Sequence, residues 1–289
     1  MKPNARNRLN LALVAAVALL AVLSYFTPGT KLPAPKPELI SLKPAEIHDI
    51  RIKLPNQPPT EMVRQDGGWR LTTPLAMRAD PNLVRTLLDY LDVQSEAHFP
   101  AAGADLAKYG LDKPKAELWL NGVRYAFGGL QPVDNLQYVL AGDTIHLVNG
   151  ALFYRVAHDG YWWLDKGLVP PGAHITALQL PHMTLTLDKK GEWQLAPADT
   201  SVSADDIQKL ITAWQEDLAI SVEPIGKGKE EGEVSLSIAG ADKPLRYAIL
   251  KDPDFLVLAR PDIGLQYELD TSLRDTLLSL EHPKAPAKP

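Results

Sequence analysis

The chain has 289 residues, enough for two domains of ordinary size, with a globular balance of 45% hydrophobic and 22% charged residues. Its net charge is −5 although Lys2, Arg6 and Arg8 crowd the N-terminus, so the body is acidic and a phosphate-backbone partner such as nucleic acid is excluded. The absence of cysteine excludes disulfides, thiolate-bound zinc and thiol catalysis.

Residues 1–8 form a short basic segment. Residues 9–26, LNLALVAAVALLAVLSYF, are almost unbroken apolar sequence. As a helix they rise roughly 27 Å, close to a bilayer core, and predict a transmembrane anchor. The basic flank then stays in the cytoplasm and the remainder is exported. The competing reading is a cleaved signal peptide, for which the apolar run is long and lacks a closing Ala-x-Ala. Residues 27–41 contain Pro28, Pro33, Pro35 and Pro37 and predict an extended stalk, in which about twelve residues at about 3.1 Å each span roughly 37 Å.

The first folded domain is expected over 42–168. Ile47, Ile50 and Ile52 alternate as in a strand, the runs EMVRQ and WRLTT return on it, and a β-meander results. Asp80-Pro81 then caps a helix whose apolar stripe is Leu83, Val84, Leu87, Leu88 and Leu91. Tyr109-Gly110-Leu111 with Pro114 makes a compact turn, Asn121-Gly122 signals a type I′ hairpin, and Asn149 caps a short helix. Between this domain and the next lies AHDGYWWLDKGLVPPGAH. Its Tyr161, Trp162 and Trp163 read either as packing between the domains or as a partner-docking patch.

The second domain is expected over 174–281, followed by a disordered tail at 282–289. It repeats the first in order. Ile47 answers to Ile175, Trp69 to Trp193, the helix of Leu83–Leu91 to one bearing Ile207, Leu210, Ile211 and Trp214, and Asn149 and Leu152 to Asp270 and Leu273. Between them, Leu118 and Leu120 pair with Leu236 and Ile238, and Val139-Leu140-Ala141 with Val257-Leu258-Ala259. A period of about 120 residues is that of a duplicated domain, not of a solenoid. The predicted fold class is α+β: a single N-terminal transmembrane helix, then two tandem antiparallel-sheet-plus-helix domains.

Trp69, Pro74, Ala79, Asp80, Val84, Leu87, Leu88, Tyr109, Gly110, Leu111, Pro114, Gly128, Tyr138, Val139 and Leu168 form an ordered set. In it the chain resembles the domain-of-unknown-function 4340 family of bacterial envelope proteins. The likeness covers residues 45–170. The second copy lacks the Tyr-Gly-Leu turn and the Gly-Gly pair and matches as a degenerate repeat. The resemblance implies a membrane-anchored accessory protein, in some members associated with gliding-motility-type ABC transporters. It implies no reaction and no catalytic residues.

No catalytic pattern is legible. The histidines at 48, 98, 146, 158, 174, 182 and 282 make neither His-x-x-x-His nor His-Glu-x-x-His. There is no Gly-x-Ser-x-Gly and no Ser-x-x-Lys. Gly226-Lys227-Gly228-Lys229 lacks the spacing and hydroxyl of a phosphate loop. Neither a cofactor nor a metal is expected. The expected function is a non-catalytic interaction module on the bacterial inner membrane, its body in the periplasm. Its partner would be an envelope or ABC-transporter protein, docked through Tyr161, Trp162 and Trp163 or through Tyr109, Gly110, Leu111 and Pro114. The alternatives are a carrier or sensor binding a lipid, glycan or peptide between the domains, and a hydrolase with a site assembled from distant residues.

Overall fold

The computed structural model describes residues 3–26 and 36–280. An N-terminal helix forms as α1 (Pro3–Phe26). Among the described residues no helix is long and apolar enough to cross a membrane. The predicted transmembrane span at 9–26 is therefore not borne out by the structure. Most of the predicted stalk, at 27–35, and the predicted tail at 282–289 lie outside the described residues.

Residues 37–40, expected in the stalk, belong instead to the folded body. Residues 37–39 run antiparallel beside 93–95: the Leu39 amide donates to Val93 at 2.8 Å and the Ser95 amide to Pro37 at 2.8 Å. Leu39 and Ile40 are buried. An adjacent pair of large aliphatic side chains gains more from a core than a stalk can give it.

The first sheet starts with the meander β1 (Asp49–Lys53), β2 (Thr60–Gln65) and β3 (Gly68–Thr73). Helix α2 (Pro81–Asp89) follows, with the Asp80 carboxylate accepting from the amides of Asn82 and Leu83. Then come β4 (Ala97–Pro100), β5 (Ala116–Leu120), β6 (Val123–Leu130), β7 (Gln137–Ala141) and β8 (Thr144–Val148), and the short helix α3 (Ala151–Val156). Asn121 and Gly122 both have positive φ, 50° and 81°, as a type I′ turn requires.

The second sheet repeats the sequence of elements. Strands β9 (Ile175–Leu180), β10 (Met183–Leu187) and β11 (Trp193–Ala196) make the meander. Helix α4 (Ala204–Glu216) opens on a capping box between Ser203 and Asp206. Strands β12 (Ser221–Pro224), β13 (Glu230–Ile238), β14 (Leu245–Leu250), β15 (Phe255–Arg260) and β16 (Leu265–Asp270) lead into helix α5 (Leu273–Leu278).

The strand orders are β3-β2-β1-β5-β6-β7-β8-β4 and β11-β10-β9-β13-β14-β15-β16-β12. Adding eight to each label of the first gives the second. All neighbours pair antiparallel, so the α+β class is observed, with two eight-stranded sheets of one topology.

Register aligns the copies residue by residue. Ile50 faces Leu120 as Leu178 faces Leu236, and Ile52 faces Leu118. Leu120 therefore corresponds to Leu236, and Leu118 to Val234 rather than to Leu236 as the sequence suggested. The cause is the hairpin. Leu120 and Val123 close a two-residue turn, whereas Leu236 and Leu245 bracket a longer loop. Likewise Ala126 faces Leu140 and Ala248 faces Ala259, which moves that expected match by one position. Trp69 and Trp193 do occupy equivalent places.

Helices α2 and α3 cover one face of the first sheet, and α5 contacts β16 of the second while packing on α4. Val84, Leu87 and Leu88 of α2 and Ile207, Leu210, Ile211 and Trp214 of α4 are buried there. Most buried apolar residues of both sheets belong to one cluster that also contains Trp163, Leu164, Leu168 and Val169 from the connecting segment, while Ala248, Leu250, Val257 and Ala259 of β14 and β15 form a second, smaller one.

Candidate functional site

The connecting segment is a strap bonded to both units. It starts against the first. A Cβ on Gly160 would lie 2.4 Å from Pro74 Cδ, so only glycine lets the backbone pass there. The Asp159 carboxylate accepts from the Trp162 amide at 3.0 Å and initiates a 3-10 turn at Tyr161–Trp163. The Trp163 carbonyl accepts from the Asp80 amide at 2.8 Å, and Leu164 bridges Ala79. Arg78 and Asp165 form an ion pair at 2.9 Å.

The chain then crosses to the second unit. The Lys166 carbonyl accepts from the Ala219 amide at 2.9 Å, and Gly167 bridges Leu218. The Tyr247 hydroxyl donates to the Leu168 carbonyl. Burial pushes the Tyr247 phenol far above its ordinary range, so it stays protonated as that donor.

This geometry separates the three aromatic residues. Trp163 is 1% exposed, Tyr161 is half-buried, and Trp162 is 41% exposed. The Trp162 indole stacks on His158, with ring centroids 4.1 Å apart and planes 11° from parallel. Lys166 Nζ lies 4.9 Å from the centre of the same ring. Burial lowers the His158 pKa; the Tyr154 backbone and Asp159 work against that shift. The imidazole that braces Trp162 is thereby kept neutral near pH 7.

Trp162 borders a cleft of about 280 Å³ whose far wall is β12, including Val222 and Pro224, with Ile220 just before it. Strand β12 ends the second sheet, paired on one side by β16. Next to it Leu218 is 55% and Ile220 53% exposed. The sequence reading missed this strand. SVEP is four residues long, ends in proline and carries no alternation that a pattern search would register.

The other candidate group lies elsewhere. Gly110 has φ 66°, and its turn sits on the first sheet where β6 bulges at Gly128 and Gly129. A Cβ on Gly128 would lie 2.3 Å from the Tyr109 carbonyl oxygen. The buried Gln137 amide donates to the Gly128 carbonyl at 2.6 Å and holds the bulge. Tyr109 packs between Phe99 and Tyr138, with centroids 5.4 and 4.9 Å away. Leu111 is buried and Pro114 half-buried. Gly160 meets β2 through Thr60. Between β2 and β7 stand β1, β5 and β6, a separation of about 19 Å. The two sets of expected docking residues do not form one surface.

Among the described residues no group of three or more His, Asp or Glu is placed to hold a metal ion. His98 and His146 stand opposite each other in the β4–β8 ladder.

Against known proteins, the profile of the family described as domain of unknown function (DUF4340) matches residues 69–227. That span runs from β3 through the strap to just beyond β12, so against the expected 45–170 it begins later, at 69, and extends into about half of the second copy. No curated protein and no solved structure matches the chain.

Proposed function

Since this chain belongs to the DUF4340 family, whose description assigns no reaction, we propose from its geometry that it is a non-catalytic interaction module. Residues 9–26 tether it to the bacterial inner membrane, its body lies in the periplasm, and it docks a protein of an envelope ABC-type transport system. The observation that carries the reading is the exposed apolar patch of Trp162, Leu218 and Ile220 beside the open edge of β12. An exposed Trp braced from behind is a good interface anchor, because its rotamer is already fixed before binding. An open strand edge offers backbone groups to an extended partner segment.

The tether is supported by the exposure of Leu13, Val14, Val17, Leu19, Leu20 and Val22 on α1. Such a surface needs apolar surroundings. Confinement to the membrane raises the effective concentration of a co-membrane partner, so a modest patch suffices. The carrier reading is less well supported. The cleft holds about 280 Å³ and is bordered by Asp159, Lys166 and Glu223, below the usual range of about 300–1,000 Å³ for mostly apolar ligand pockets.

Photocrosslinkers placed at 162, 218 and 220 in cells are expected to capture the same transporter subunit, and crosslinkers at 109–114 are not. Trp162→Ala should weaken partner binding roughly thirtyfold, as loss of a hot-spot residue does. Recovery of lipid or small metabolites alone from all three positions overturns the proposal.

A further inference from the structure

We propose that His98 and His146 form a two-imidazole site for a divalent transition-metal ion, copper(II) ahead of zinc, at the edge of the first sheet. The two residues are direct partners in the antiparallel β4–β8 ladder. Their side chains leave the same face with Cβ atoms about 5 Å apart. The rings stack with centroids 5.9 Å apart and planes 28° from parallel. Strand β4 ends the sheet, and His98 is exposed.

The hydrogen bonds fix which nitrogen of His146 is free. The Ser95 hydroxyl, 1% exposed, donates its only proton to the Ala97 carbonyl at 2.8 Å. Towards His146 Nδ1, 3.1 Å away, Ser95 Oγ must therefore accept. His146 carries its proton on Nδ1 and presents the bare Nε2. Metal-ligating histidines are held in this way, the far N–H donated to a fixed oxygen. His146 is thus a pre-set ligand, and the exposed His98 imidazole turns about its side-chain torsions to complete a chelate at about 2.0–2.1 Å per nitrogen. Water fills the remaining positions. Glu96 is engaged by Lys36. Imidazole ligation favours copper, nickel and zinc over magnesium and calcium, with copper(II) tightest.

The second copy is an internal control. Val139 faces His146 and Leu258 faces Tyr267, so Tyr267 takes the place of His146, and its β12 partner Val222 that of His98. The site belongs to the first copy alone.

The test is calorimetric titration of the full chain in detergent with copper(II) and zinc chloride, and copper electron paramagnetic resonance to count nitrogen ligands. One saturable equivalent with two imidazole nitrogens is expected. His98→Gln, at an exposed position, should weaken copper binding more than tenfold and remove one nitrogen. Ser95→Ala should weaken it about ten- to a hundredfold and let the His146 ring shift its tautomer, read by nitrogen chemical shifts. His182→Gln should change nothing. Copper affinity and nitrogen count that survive His98→Gln would mean adventitious binding elsewhere, such as at the N-terminal amine, and overturn the proposal. So would the absence of stoichiometric binding in the unmodified chain, or equal binding of magnesium.

Discussion

At the residue scale, Gly128 and the Tyr109-Gly110-Leu111 turn have a packing explanation. Gly128 is tightly constrained, because the Tyr109 carbonyl oxygen would be 2.3 Å from any Cβ placed there. A backbone atom cannot swing aside as a side-chain tip does. Gly128→Ala should therefore destabilise the fold by about 1–3 kcal/mol, the usual range for overpacking. Gly122, with φ 81° and nothing within 4 Å of its Cβ position, is the comparison. Gly122→Ala meets only the conformational cost of about 1–2 kcal/mol. Urea unfolding monitored by circular dichroism measures both. Equal stability of Gly128→Ala and the parent would show that the turn does not press on the bulge as described. The sequence pattern exposed these residues but not their partner, because Tyr109 and Gly128 meet only through the tertiary fold.

At the element scale, much of the architecture was legible. The meanders, the α2 and α4 stripes, the N-cap at Asp80 and the Asn121-Gly122 hairpin are set by short-range chemistry, and all are observed. The four-residue edge strands β4 and β12 were not legible, since AHFP and SVEP owe their extension to the neighbours β8 and β16. Nor was the register of β13, because a longer loop before β14 shifts every match counted from the turn. The sheet-opposed pair of His98 and His146 has no sequence spacing to betray it. Equivalent places also need not be equally buried. Trp69 in β3 is 9% exposed, whereas Trp193 in β11 is half-buried. The sequence leads to equal losses on truncation; the structure does not. Trp69→Ala should cost about 3–5 kcal/mol and Trp193→Ala roughly half as much, measured as shifts in the denaturation midpoint. A larger loss at Trp193 would show that the exposure of β11 is misassigned.

At the scale of the whole molecule, the repeat suggested two separable domains, but the buried residues argue for coupling. One apolar cluster includes Leu71 and Phe127 of the first sheet, Leu236 and Leu258 of the second, and Trp163, Leu164 and Leu168 of the strap. The strap's hydrogen bonds to Asp80 on one side and to Ala219 and Tyr247 on the other tie the halves together through buried backbone groups. Opening one half would expose Trp163 and strand the Leu168 carbonyl, each a loss of about 1–3 kcal/mol or more. The chain from residue 36 to 280 should therefore unfold in a single transition, with tryptophan fluorescence and far-ultraviolet circular dichroism giving coincident curves. Trp163→Ala should divide that transition in two, because it empties the shared part of the core while leaving both strand ladders intact. Two separate transitions in the parent chain would show that the units fold independently and that the strap is a linker, which would also remove the rigid support on which the Trp162 surface depends.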